Sequence, residues 1–340
     1  MSAPSLAAFI ANSVSTSTPT VLITSGGTSV PLESNTVRTL ENFSTGTRGS
    51  TSAELFLSSG YRVIFMHRIG SKLPFLRQIP SPTNVTPELA NLIKDCPNPS
   101  VSTPIATFNS NLPNLYLLPF TTVTTYLSLL ESTLKSLSPL DSLSIYYGAA
   151  AVSDFYLKKP PKHKIQSTSE GRSIANDNNI GEGFELKLDS VPKLLGDVKV
   201  WCPGIFVCGF KLETDPKILT SKVEKSIEKY GLDCVVGNVL GTRYEVCYLY
   251  DKGGAEEVRG RVEEGIVEGV VGRHMEYVCR EGGSLNVCLE GNLIGGGKKE
   301  RDERIWREMD GWKKGIFWGW ERLGPVIGVA LVYYIRRRKW

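Results

Sequence analysis

Six stretches of this chain are apolar almost without interruption, and they alternate with helical patterns. PTVLITSGG, YRVIFMHR, NLYLLPF, LSIYYGAAAV, GIFVCGFKLE and LDCVVGNV carry β-branched and aromatic residues in runs too continuous for a sheet with one wet face. Between them TSAELFLSSG, TTYLSLLESTLKSL and DPKILTSKVEKSIEKYG read as helices. In the last, Ile218, Val223, Ile227 and Tyr230 approximate one face, and Asp215 with Pro216 supplies an N-cap followed by a first-turn proline. Strand, helix, strand at this spacing predicts an α/β fold, a doubly wound, mainly parallel, Rossmann-like sheet.

At 340 residues, 41% of them hydrophobic, the chain can bury a large core. A net charge of +4, with no basic run interleaved with aromatics in the body, argues against a nucleic-acid partner. Seven cysteines include no CxxC pair, and several fall inside strand-like runs. They read as reduced, buried thiols of a cytoplasmic protein, and with three scattered histidines they form no zinc spacing.

Residues 1–18 lack Lys and Arg and read as a flexible N-terminal arm. Residues 19–300 read as a single α/β domain. Within it, 71–113 is rich in Pro, Ser and Asn and reads as a surface insertion with one short helix at PELANLIKD. Residues 156–190 leave the α/β rhythm as a projecting flap. Beyond Gly241, EVCYLY, HMEYVCR and NVCLEGN read as short strands between Gly/Glu-rich linkers, followed by a charged helix, 301–322, and a hydrophobic-basic tail, 323–340. The tail's apolar run is shorter than the roughly 20 residues a bilayer needs. It reads as an interfacial or partner-packing segment giving weak membrane association, with a tail anchor as the alternative.

Two short stretches carry the chemistry. VLITSGGT, Val21 to Thr28, ends a strand in a turn where backbone can approach a ligand without a Cβ in the way. It is neither GxGxxG nor GxxxxGK[ST], and alone such a stretch is more often a plain turn. ENFSTGTRGS, Glu41 to Ser50, places Ser44, Thr45, Gly46, Thr47 and Gly49 before the helix that follows. A helix N-terminus stabilises phosphate, and a simple cap would need only one of these hydroxyls.

Taken together, SGGTSVPLESNTVRTLENFSTGTRG resembles the pattern of the phosphopantothenate–cysteine ligase family in its eukaryotic form. Further motifs follow in the family's order: AAAVSDFY, HKIQS, VPKLL, FKLETDP and a late strand ending at Gly237 and Asn238. The resemblance covers roughly residues 19 to 240, and the hydrophobic tail departs from the pattern.

The resemblance implies a ligase of coenzyme A biosynthesis. It would join 4′-phosphopantothenate to L-cysteine through an acyl-nucleotidylate, using ATP in preference to CTP, with Mg2+ carried by the nucleotide. It implies that Gly26, Ser44, Gly46 and Gly49 line the nucleotide phosphates, that Phe210 packs beside the base and that Asn238 reads the base edge. Asn42 would donate its side-chain amide to the acyl carbonyl or the substrate, Asp154 would accept from substrate, and Lys164 in the flap would neutralise phosphoryl charge. Ala150 and Ala151 would let substrate lie against the strand end. Arg38 would reach the substrate phosphate from the neighbouring subunit of a homodimer, with the flap forming the dimer contact. Metal ligands stay unassigned.

Plain alternatives stand beside these roles: a turn for Asn42, a surface ion pair for Arg38, a capping residue for Asp154, core or turn for Phe210 and Asn238. At the level of the whole chain, the competitors are a nicotinamide-dependent oxidoreductase and a non-catalytic, membrane-tethered binding protein on the same scaffold.

Overall fold

In the computed structural model of the chain, which describes residues 4–80, 84–165 and 186–282, each of the six apolar runs forms a strand. In chain order the elements begin with helix α1 (Leu6–Ser15), strand β1 (Thr20–Ser25), the short strands β2 (Ser29–Pro31) and β3 (Thr39–Glu41), helix α2 (Thr47–Ser58) and strand β4 (Arg62–Arg68). Helices α3 (Pro87–Ile93) and α4 (Pro99–Asn111), strand β5 (Leu115–Phe120), helix α5 (Val123–Leu137) and strand β6 (Ser144–Gly148) follow. Next come β7 (Phe155–Tyr156), β8 (Asp189–Ser190), α6 (Val198–Trp201), β9 (Phe206–Glu213), α7 (Pro216–Tyr230) and β10 (Cys234–Val239). The described chain ends with β11 (Val246–Asp251), β12 (Gly254–Arg259) and α8 (Val262–Arg280).

The main sheet has eight strands in the order β12-β11-β10-β9-β6-β1-β4-β5. The six from β10 to β5 are parallel, and β11 and β12 add to the β10 edge antiparallel. Both faces are covered, which is why the strands could be so continuously apolar. Ala53 and Phe56 of α2, Ile105 and Phe108 of α4, and Ile266, Val270 and Val271 of α8 pack on one face. Phe9 and Ile10 of α1, Leu130 and Leu134 of α5, and Leu219 and Val223 of α7 pack on the other.

Three expectations are corrected. The N-terminal segment is not a loose arm: Ser5 caps α1 by accepting from the Ala8 N–H at 3.2 Å, and Phe9 and Ile10 are buried. Arg62 holds the helix in place. Its Nη1 donates to Phe9 O and Asn12 Oδ1 at 2.8 Å and to Ser13 Oγ at 2.9 Å, and its guanidinium lies over the Phe9 ring.

Nor are residues 71–113 a surface insertion. Leu73, Phe75, Leu76, Ile79, Val85, Ala90, Ile105 and Phe108 are buried in the core on the α2 face. Glu54 of α2 ties the segment down, accepting from Phe75 N at 2.6 Å and from Arg77 Nη2 at 2.8 Å. The Gly/Glu-rich stretch after β11 is likewise not a linker but β12 and the start of α8, and HMEYVCR lies in that helix rather than in a strand. Glycine permits the contact: a Cβ on Gly269 would lie 2.3 Å from Leu249 Cδ1.

The flap leaves and rejoins the body through the β7–β8 ribbon, where Phe155 pairs with Ser190 and Tyr156 with Asp189. Its middle, NVCLEGN, the charged helix and the hydrophobic-basic tail lie outside the described residues. Among the described residues no helix is long and apolar enough to cross a membrane.

Candidate active site

A doubly wound sheet opens a crevice where neighbouring strands send their connections in opposite directions. Here that point lies between β1, which continues toward β4, and β6, which continues toward β9. The turn after β1 sits in it. Gly26 adopts φ +87°, a conformation glycine takes without strain. The chain leaving β6 lies alongside: Ala151 N donates to Gly26 O at 2.9 Å, Thr28 N to Ala151 O at 3.1 Å, and Ser153 N to Thr28 Oγ1 at 2.9 Å. Ala150 N reaches Thr24 Oγ1 at 3.3 Å.

Asn42 closes the other flank, its N–H donating to Thr28 O at 3.2 Å and its Nδ2 to Val152 O at 3.4 Å. Residues 149–153, the Gly-Gly turn and Asn42 therefore form three adjacent lines of backbone at the strand ends. Of the expected catalytic residues, Asn42 is the one placed at this junction.

Gly46 is the N-cap of α2, left-handed at φ +77°, and no side chain caps the helix. The first-turn N–H groups keep the positive helix end available to an anion. Several of the surplus hydroxyls serve the loop itself. Ser44 Oγ accepts from Gly46 N at 3.4 Å, Thr45 and Thr47 bond each other at 2.9 Å, and Ser50 Oγ donates to Thr47 O at 3.0 Å. The glycines are required by close packing. A Cβ on Gly49 would lie 2.4 Å from Ser25 Oγ, and one on Gly26 would lie 2.6 Å from Arg68 Cβ. What these positions could offer a phosphate is main-chain N–H.

Phe210, in the middle of β9, and Asn238, near the end of β10, belong to the sheet. Phe210 stacks edge-on against Tyr147 with centroids 4.9 Å apart. Asn238 is 4% exposed. With its amide turned to satisfy both ends, it donates to Lys211 O at 3.0 Å and accepts from Arg48 Nη1 at 2.9 Å. Arg48 also bonds Glu263 Oε1 at 3.3 Å and the Arg243 carbonyl. Thus Asn238 anchors an arginine of the α2 first turn, which links the phosphate-cradle candidate to β10 and α8.

A second group lies around the flap. Glu33, fully enclosed, accepts from Arg38 N at 3.1 Å, Val37 N at 3.4 Å, Ile165 N at 3.4 Å and Arg38 Nη1 at 3.0 Å. Enclosure alone would raise the Glu33 pKa; the N–H groups of Arg38, Ile165 and Val37, and then the Arg38 charge, outweigh it and hold the carboxyl below its usual range. Arg38 Nη1 donates further to Ile165 O at 3.1 Å. Arg38 and the exposed Lys164 are thereby brought to one place. Asp154, also exposed, pairs with Lys193.

Three residues of this arrangement escaped the sequence reading as site members: Glu33, Arg48 and Lys193. Each sits inside a quoted motif, VPLE, TGTRG or VPKLL. Their partners are 39 to 215 positions away, apart from Val37 and Arg38 for Glu33, so motif position was the only signal. Among the described residues no group of three or more His, Cys, Asp or Glu side chains could hold a metal ion.

No family model matches the chain. It is 38% identical over 283 residues to phosphopantothenate–cysteine ligase 1 of Oryza sativa subsp. japonica, covering 79% of this chain and 84% of that protein. To the Homo sapiens phosphopantothenate–cysteine ligase it is 36% identical over 282 residues, covering 76% and 87%. Among solved structures it is similar to a Cab2 variant in complex with phosphopantothenate-cysteine, with TM-score 0.67 and 36% identity over 82% of this chain and 93% of that one. A pantothenate-metabolism flavoprotein of Streptococcus pneumoniae, at TM-score 0.52 and 24% identity over 76% of this chain and 99% of that one, shares the fold. By these relatives, several above 35% identity over most of both chains, the chain belongs to the phosphopantothenate–cysteine ligase family.

Proposed function

We propose that this enzyme joins 4′-phosphopantothenate to L-cysteine through an acyl-nucleotidylate, with ATP favoured over CTP. A carboxylate resists attack by an amine, so its oxygen first attacks the nucleotide α-phosphorus and pyrophosphate leaves. The cysteine nitrogen then attacks the acyl carbon, the C–O bond breaks to release nucleoside monophosphate, and the amine proton passes to water. Both steps build charge on phosphoryl and acyl oxygens, so the site needs positioned donors more than a strong base.

The observation that carries the reading is the junction of Asn42 with the Gly26–Thr28 turn and residues 149–153, beside the uncapped N-terminus of α2. Asn42 Nδ2 is the donor for the acyl oxygen, and the main-chain N–H groups from Gly46 to Gly49 hold the phosphates. Arg38 and Lys164 supply positive charge, Arg38 toward the substrate phosphate. Asp154, partnered by Lys193, accepts from substrate. Phe210 lies on the base side, with Asn238 acting there through Arg48. Magnesium, carried by the nucleotide, would neutralise phosphate oxygens when bound. The FKLET run and the likeness to eukaryotic ligases support ATP.

A homodimer and a cytoplasmic setting belong to the same proposal. Val37, Leu40, Phe43 and Phe155 are exposed on or beside the β2–β3 and β7–β8 ribbons, where a partner would cover them. Cys96, Cys202, Cys208, Cys234 and Cys247 are free thiols, as in a reducing compartment.

Purified protein incubated with phosphopantothenate, cysteine, magnesium and either ATP or CTP tests the reaction. Pyrophosphate release that depends on phosphopantothenate is expected, faster with ATP. No release with either nucleotide overturns the proposal.

A further inference from the structure

We infer that Glu33 is a positioning residue of the reaction: its carboxylate orders the root of the flap, and through it sets where Arg38 and Lys164 stand. The inference rests on the roles proposed for those two cations. Glu33 itself is enclosed and faces main-chain N–H groups and one guanidinium, so it is placed to organise rather than to touch substrate.

The geometry is that of a two-sided latch. Oε2 accepts from Val37 N and Arg38 N, fixing the turn that carries Arg38, while Oε1 accepts from Arg38 Nη1 and from Ile165 N, next to Lys164. Main-chain bonds run parallel to it: Ser34 N to Pro161 O at 2.8 Å and Asn35 N to Lys162 O at 3.3 Å. Arg38 Nη1 adds a bond to Ile165 O at 3.1 Å. Two segments 127 residues apart are thus tied at one carboxylate. A carboxylate can accept from four N–H groups at once, whereas an amide in its place would turn an N–H toward at least one of these donors. A neutral side chain also leaves the Arg38 guanidinium without its counter-charge.

Glu33→Gln and Glu33→Asp test this, each checked for folding by circular dichroism. Trypsin cuts mapped by mass spectrometry read the ordering of the segment directly. Cleavage after Lys162 and Lys164 is expected to be at least tenfold faster in Glu33→Gln, with Glu33→Asp intermediate. In steady-state assays kcat should fall at least tenfold and KM for phosphopantothenate should rise several-fold in Glu33→Gln. KM for ATP should stay within twofold. Unchanged cleavage in a folded variant overturns the inference, as does an equal rise of both KM values. Unfolding of both variants also overturns it, because a positioning role requires a folded protein that has lost only this local order. If the wild-type protein makes no product, the proposed function fails while the cleavage comparison still decides whether Glu33 orders the segment.

Discussion

A Cβ on Gly27 would lie 1.8 Å from the main-chain oxygen of Asn42, well inside any van der Waals contact. The turn after β1 therefore accepts no side chain there without moving Asn42, and the two residues act as one unit. Gly27→Ala is expected to slow product formation by roughly 10²-fold, because a displacement of about 1 Å at a reacting centre costs that much. Asn42→Ala should lose a similar factor, typical of removing one donor to a developing oxyanion. Its circular dichroism should match the wild type, since its side chain makes a single long bond of 3.4 Å within the described protein. A folded Asn42→Ala protein with unchanged kcat would return this residue to the role of a turn former. Adding the second change to the first should cost little more, because both disturb the same donor. The Gly-Gly turn was legible from SGGT. That Gly27, rather than Gly26, meets Asn42 was not, because the contact joins residues on either side of the β2–β3 ribbon.

At the scale of elements, legibility followed how local the cause of each element was. Strands β1, β4, β6, β9 and β10 declare themselves because burial on both faces demands continuous apolar residues. Helix α1 did not: LAAFIANSVS is short and largely small or polar, and its docking depends on Arg62, about 50 positions away. The segment after residue 71 looked like a loop by its Pro and Ser content, yet α4 carries Pro104 within it and buries Ile105 and Phe108. Helix α8 was disguised by its Gly and Glu, and a local apolar run, HMEYVCR, imitated a strand. One buried polar pair gives α8 a pH signature. Tyr61 donates its hydroxyl to His274 Nδ1 at 2.8 Å, and His274 Nε2 donates to Ser142 O at 2.8 Å, which requires a neutral ring. Burial pushes the His274 pKa down to about 4, against a smaller upward pull from the Ser142 carbonyl. The unfolded chain binds this proton near pH 6.5 and the folded one does not. The stability His274 contributes is therefore complete above that pH and lost as pH falls toward 4, on the order of 3 kcal/mol in all. Urea unfolding between pH 7 and 4 should show this slope in the wild type and a shallower one in His274→Gln. Parallel slopes would mean that His274 does not titrate on unfolding.

At the scale of the whole molecule, the proposed homodimer would place charge and apolar surface around the flap root at a site shared between subunits. Arg38 and Lys164 are exposed beside the Glu33 latch, Arg38 immediately before β3, while Asn42 immediately follows β3 and bonds the chain leaving β6. Phe43, the neighbour of Asn42, is 92% exposed, and burying a phenylalanine contributes about 2 kcal/mol or more. A second copy seated over Val37, Leu40, Phe43 and Phe155 would cover these groups and bring its own cations toward this chain's Asn42. Phe43→Glu should then raise the dimer dissociation constant at least tenfold, read by sedimentation equilibrium, with the far-ultraviolet spectrum unchanged because the side chain is almost fully exposed. If each site needs a partner's Arg38, the specific activity of this variant should fall on dilution in step with the loss of dimer, and concentrating the protein should restore it. A variant that sediments as a monomer yet keeps constant specific activity on dilution would show that one chain suffices for the chemistry, and Arg38 would then act within its own subunit.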